Sequence, residues 1–191
     1  MSPTLLIGDY IIVRKNYYSR NKVNRGDLVI LRHHKNGKDY IKRIIGLPGD
    51  EISIKSGHLI INGNQLNTER IDDFKEIKEK RGPLGSMPRC SNEPVNLGDI
   101  CKKRQYLEKI GTDFQIRILD ISNDELGDNL TSLIVPDKSY FVLGDNRDNS
   151  LDSRFSKSVG GLGFISIDKI LHKAHLVYWS KYDKSRIGIF L

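Results

Sequence analysis

The sequence predicts a mostly β fold, a barrel or a pair of packed sheets, on three observations. Short apolar clusters recur between turn signals at residues 10–13, 28–31, 40–45, 51–54 and 59–61, which is strand length and too short for core helices. The stretches Lys55-Ser56-Gly57-His58 and Asn62-Gly63-Asn64 separate such clusters with residues that tolerate positive φ, the chemistry of tight hairpins. From about residue 65 the pattern turns charged and irregular before strand signals return. A core of residues 1–64 and 132–191, interrupted by a smaller inserted β-rich subdomain at 65–131, is therefore expected.

Along the insertion, residues 72–81 are a short helix or a solvated loop, since their charges show no clear period. Residues 104–110 and 114–119 read as a second hairpin, turning through Gly111, Thr112 and Asp113. A polar connection over 120–130 leads to a short cluster at 133–135, the turn Pro136-Asp137-Lys138 and a strand at 140–143. Strands at 164–167 and 176–179 complete the pattern, and no internal repeat is visible.

With 38% hydrophobic residues in 191, the chain buries a real core. Thirty-one Lys and Arg against 24 Asp and Glu leave a net charge of +7, suited to a lipid headgroup layer or simply to a solvated basic surface. The charge comes without a long basic tract, zinc-ligand spacing or a helix-turn-helix signal, so nucleic acid is not expected as a partner. Cys90 and Cys101 lie in a polar stretch; a bridge between them and two separate thiols are equally compatible with the spacing. No apolar run is long enough to span a bilayer, and no secretory signal pattern is present.

Three segments carry chemistry. The first is Gly144-Asp145-Asn146-Arg147-Asp148-Asn149-Ser150-Leu151-Asp152-Ser153-Arg154, a polar loop that follows directly on the apolar strand at 140–143. The second, Tyr40-Ile41-Lys42-Arg43-Ile44-Ile45-Gly46-Leu47-Pro48-Gly49-Asp50, puts a lysine inside an apolar strand. Alternation sets Tyr40, Lys42 and Ile44 on one face and Arg43 on the other. Burial there disfavours the ammonium, lowers its pKa and makes the amine a base that can take a proton from a hydroxyl. The third is Pro3-Thr4-Leu5-Leu6-Ile7-Gly8-Asp9.

In this order the three segments resemble the type I signal peptidases (leader peptidases), membrane-bound serine proteases with a Ser-Lys dyad. The resemblance implies a signal-peptidase-like β-rich catalytic core with a second β domain inserted. It implies Lys42 as general base, Arg43 paired with Asp145, Ser150 hydrogen-bonded to the lysine amine, and Asp152 with Arg154 buttressing the site. It implies no metal or organic cofactor. The substrates would be signal peptides of secretory precursors, cut after small residues, at the bacterial inner membrane with the catalytic region on its periplasmic side.

In the family the nucleophilic serine is followed by Met, any residue, then Pro-Thr-Leu; Met1-Ser2-Pro3-Thr4-Leu5 begins one residue later, so the serine and the membrane anchor are expected before Met1. Ser2 falls at the variable position, and Ser86-Met87-Pro88 lacks the spacer and reads as loop. An inactive homologue that binds signal peptides or a translocation partner is the alternative. Residues 156–162 are extra relative to the family pattern and bear on the geometry of the loop's exit.

Overall fold

The computed structural model describes residues 1–82, 85–111, 114–122 and 125–191. Its strands are β1 (Asp9–Lys15), β2 (Leu28–Arg32), β3 (Asp39–Gly46), β4 (Glu51–Lys55), β5 (His58–Ile61), β6 (Asn64–Gln65), β7 (Thr68–Ile77), β8 (Ile100–Lys109), β9 (Gln115–Leu119), β10 (Leu130–Ile134), β11 (Ser139–Leu143), β12 (Ile165–Ser166) and β13 (Ile170–Ser180). They form three antiparallel sheets, ordered β1-β13-β2-β3-β11-β12, β10-β4-β5-β6 and β7-β8-β9. The chain is mostly β, as its apolar clusters predict.

The hairpins follow from their turn residues. Ser56 and Gly57 have φ of 48° and 79°, and Asn62 and Gly63 have 51° and 77°. Two consecutive positive φ angles match the right-handed twist of the flanking strands. β8 and β9 pair as the hairpin that the sequence places there; Thr112 and Asp113, where the sequence puts its turn, lie outside the described residues, as do Pro83, Leu84, Asn123 and Asp124.

Residues 72–81 are neither helix nor solvated loop over most of their length. They belong largely to β7, which pairs with β8 from Thr68 opposite Glu108 to Ile77 opposite Ile100. A register shift between Ile71 and Phe74 absorbs the two aspartates of this strand. Across the pair, Lys103 meets Glu76, so a charge pattern with no local period is satisfied by a distant partner.

The first sheet is covered on both faces. Val29 and Leu31 of β2 pack with Ile44, Val142 and Leu162 on one side. Leu28 and Ile30 pack with Ala174, Met1, Ile11 and Ile41 on the other. A larger cluster of Ile45, Ile52, Leu59, Ile118, Phe141 and Leu143 joins all three sheets. Cys90 and Cys101 form a disulfide, with Cα atoms 5.2 Å apart, that fastens the segment before β8 to β8 itself. Among the described residues no helix is long and apolar enough to cross a membrane.

Candidate active site

Because the first sheet is covered on both faces, Lys42 and its opposite-facing neighbour Arg43 are both buried, at 8% and 3% exposure. Lys42 Nζ donates to Ser150 Oγ at 2.6 Å. Arg43 reaches the other end of the same loop: Nε and Nη2 donate to Asp145 Oδ1 and Oδ2 at 2.8 and 2.7 Å, and Nη1 donates to the Gly26 carbonyl at 2.7 Å. Thr4 joins this clamp, donating its hydroxyl proton to Asp145 and accepting from Arg43 Nη2 at 3.3 Å. The three segments singled out in the sequence thus meet at one place.

Asp152 is fully buried. Arg154 donates to both of its oxygens, Nε at 2.9 Å and Nη2 at 3.0 Å, and the Gly144 N–H donates to Oδ2 at 3.1 Å. Burial works against the ionised form, but Arg154, Lys42 and the Gly144 N–H together hold the carboxyl below its ordinary range. Lys42 shows the opposite balance. Burial is the largest influence and lowers its pKa, aided by Arg154 and opposed by Asp152 and Asp145. Its near partner is a hydroxyl, so the neutral amine keeps a lone pair next to a group that can hold its orientation.

Several residues at the site were assigned no role from the sequence. Gly144 is one: a Cβ there would collide with Ser150 and lie 3.5 Å from Lys42 Nζ, so the Lys42–Ser150 contact needs a glycine. Arg147 and Glu108 are others, forming a buried bidentate pair between the loop and β8. Leu119 N–H donates to the Asp145 carbonyl at 2.8 Å, and the N–H groups of Ile121 and Ser122 donate to Asp148 Oδ2 at 2.7 Å, so the sheet β7-β8-β9 braces the loop from outside. At the chain's other end, Arg186 binds the Thr4 carbonyl and the Asp9 carboxylate, both at 2.7 Å, and fixes the N-terminal segment.

The extra residues 156–162 leave the loop's exit intact. Leu162 N–H donates to the Asp152 carbonyl and Gly163 N–H to the Phe155 carbonyl, both at 3.0 Å, closing the insertion into a small excursion outside the site. Ser2 is not the partner of Lys42; it lines an 80 Å³ cavity with Asn146, Lys103 and Ser86.

Asp120, Asp128 and Asp148 bring carboxylate oxygens within 4.8 Å of one another, the one group among the described residues with metal-ligand spacing. Arg104 and Arg147 face it, and backbone N–H groups already bind Asp128 and Asp148. Burial first, then the charges of Asp148 and Asp128, push the Asp120 carboxyl up to about 7. Between the ordinary carboxyl range and pH 7 the folded state therefore keeps a proton that the unfolded chain releases. The resulting loss of stability grows as pH rises through this window and is complete above it. Asp120→Asn should raise the melting temperature at pH 8 by about 3 °C, partial exposure limiting the gain to about 1 kcal/mol, and change it little at pH 5. Equal shifts at the two pH values would refute this account of the cluster.

A family model described as "Signal peptidase, peptidase S26" matches residues 1–179. Signal peptidase I of Buchnera aphidicola subsp. Schizaphis graminum is 34% identical, the match covering 96% of this chain and 66% of that protein. Signal peptidase I of Aquifex aeolicus is 32% identical, with 94% and 72% covered. A crystal structure of a signal peptidase I from Enterococcus faecalis V583 matches at 25% identity and a TM-score of 0.41, over 80% of this chain and 97% of that one. The chain spans about two thirds of the length of these curated relatives. Matched over residues 1–179, the chain belongs to the signal peptidase family, peptidase S26.

Proposed function

We propose that this chain is the catalytic region of a signal peptidase I, a serine endopeptidase that removes signal peptides from secretory precursors after small residues. The observation that carries the reading is the buried Lys42 amine, 2.6 Å from the Ser150 hydroxyl, with its pKa lowered first of all by burial. In this reading Lys42 takes the proton of a serine placed directly before Met1 as that hydroxyl attacks the scissile carbonyl. It returns the proton to the departing amine, then activates the water that hydrolyses the acyl ester. Ser150 orients the amine, the Arg43–Asp145 clamp ties its strand to the loop, and Asp152 with Arg154 supports the loop from beneath.

Residues 39–42 of β3 pair with β2 on one side, while β11 pairs with β3 only from Arg43 onward. That leaves a strand edge beside the base along which an extended peptide can bind. A membrane surface as the second partner is supported by Tyr10, Ile12, Tyr178, Trp179, Ile187 and Phe190, exposed together on β1, β13 and the C-terminal tail. The Cys90–Cys101 disulfide favours an oxidising compartment, consistent with the periplasmic side of a bacterial inner membrane.

The test is to add one serine before Met1 and offer a peptide with an Ala-x-Ala cleavage context in lipid vesicles. Cleavage after the second alanine, with transient acylation of the added serine, is the expected result. Binding of the peptide without cleavage would favour the inactive homologue, and neither binding nor cleavage would sink both readings.

A further inference from the structure

Four basic groups with buried side chains lie in or against the loop at 144–154, and three of them have a carboxylate of their own. Arg43 holds Asp145, Arg154 holds Asp152, and Arg147 holds Glu108. Lys42 holds a hydroxyl. The third pair is the odd one, because Glu108 comes from β8 of a different sheet and sits at 1% exposure, far from water.

Arg147 cannot lose its charge in a protein, so its guanidinium requires an anion wherever it is buried. Its charge also faces Asp145 and Asp152. Without Glu108 its charge would fall on those two carboxylates, which the Lys42 site uses, and on Asp120, which Arg104 already faces. The Arg147 carbonyl, meanwhile, accepts from Arg154 Nη2, so a displacement of Arg147 passes directly to the group that holds Asp152.

We propose that Glu108 is a positioning residue for Lys42: by engaging Arg147 it reserves Asp145 for Arg43 and Asp152 for Arg154, leaving Lys42 the one basic group of the four without a carboxylate. Glu108 acts through Arg147 and Arg154 and does not touch the reacting atoms. The device explains why a loop already closed by its own turn is also wired to the sheet β7-β8-β9. It rests on the reading of Lys42 as the base.

The experiment is competitive labelling of Lys42 with isotope-coded acetic anhydride in the 191-residue chain, followed across pH by mass spectrometry, which needs no peptide cleavage. In Glu108→Gln the unpartnered Arg147 neutralises Asp145 or Asp152, and the pH midpoint of Lys42 labelling should fall by about one pH unit, the scale on which one neighbouring charge acts. In Arg147→Met the buried Glu108 takes up a proton, the other two pairs stay intact, and the midpoint should match the parent. A merely structural brace would make the two ends of the pair equivalent, so equal midpoints in the two folded variants overturn the proposal.

If Glu108→Gln fails to fold, the double variant Glu108→Gln with Arg147→Met decides. A folded double variant with the parental midpoint supports charge reservation, and one that is unfolded or has a shifted midpoint overturns it. Should labelling respond as stated while the chain with the added serine cleaves no peptide, the proposed function fails and only the charge reservation around Lys42 stands. Cleavage with unresponsive labelling is the reverse case.

Discussion

Lys42→Met in a chain carrying the added serine should abolish processing of an Ala-x-Ala peptide, lowering kcat/KM by at least about a thousandfold, since positioned proton transfer and an activated nucleophile are lost together. The fold should not suffer. Burial lowers the Lys42 pKa, so between that lowered value and the ordinary lysine value the unfolded chain binds more protons than the folded one, and the parent gains stability as pH rises through that window. The methionine variant, with similar packing and no ammonium to desolvate, should melt at or above the parental temperature and lose that part of the pH dependence. Retained cleavage in Lys42→Met would end the assignment of Lys42 as base. A large fall in melting temperature would show instead that the amine is a structural member of the sheet.

Asp145→Ala should give the largest loss of stability among single changes at the site. Asp145 is 1% exposed and Arg43 3%, and removing the carboxylate leaves a guanidinium buried with only the Gly26 carbonyl and the Thr4 hydroxyl. Stranding a buried charge in this way costs about 3–5 kcal/mol, or roughly 10 °C in melting temperature for a chain of this size. The Thr4 hydroxyl loses its acceptor as well, so amide exchange over residues 4–6 should accelerate together with the loop at 144–154. Reversing both charges, with Asp at 43 and Arg at 145, should recover part of the loss. Strict additivity of the two single reversals would deny the coupling, because residues sharing one network do not act independently. An apolar pair, Arg43→Met with Asp145→Leu, should restore more stability than the swap, since the Gly26 and Thr4 contacts are keyed to a guanidinium on β3.

The residues behind both expectations were legible in the sequence through the family resemblance, which rests on motifs confined to compact segments. Lys42 and Arg43 are adjacent, and Asp145, Ser150, Asp152 and Arg154 fall within ten positions of one another. Glu108 was not legible: on its strand it looks like any acidic residue at a solvent-facing position, and only pairing β8 beside the loop turns it inward. Gly144 was hidden for a related reason. A glycine after a strand is ordinary turn chemistry until Ser150 and Lys42 are found in the space a side chain would fill.

The sequence alone determined the β class, most strand positions and both early hairpins, since these depend on alternation and on residues that tolerate positive φ; the residues proposed for the Lys42 site came from the family resemblance that its motifs carry. Tertiary structure decided the rest. It made a strand of residues 68–77, a segment whose charges are satisfied only opposite β8. It chose the bridge between Cys90 and Cys101, and it closed residues 156–162 on themselves while burying Leu162 in the core. It also buried two adjacent, opposite-facing cations by covering both faces of one sheet. Each of these outcomes is a balance of burial against charge between residues far apart in the chain, and local periodicity carries no record of which distant group will lie opposite.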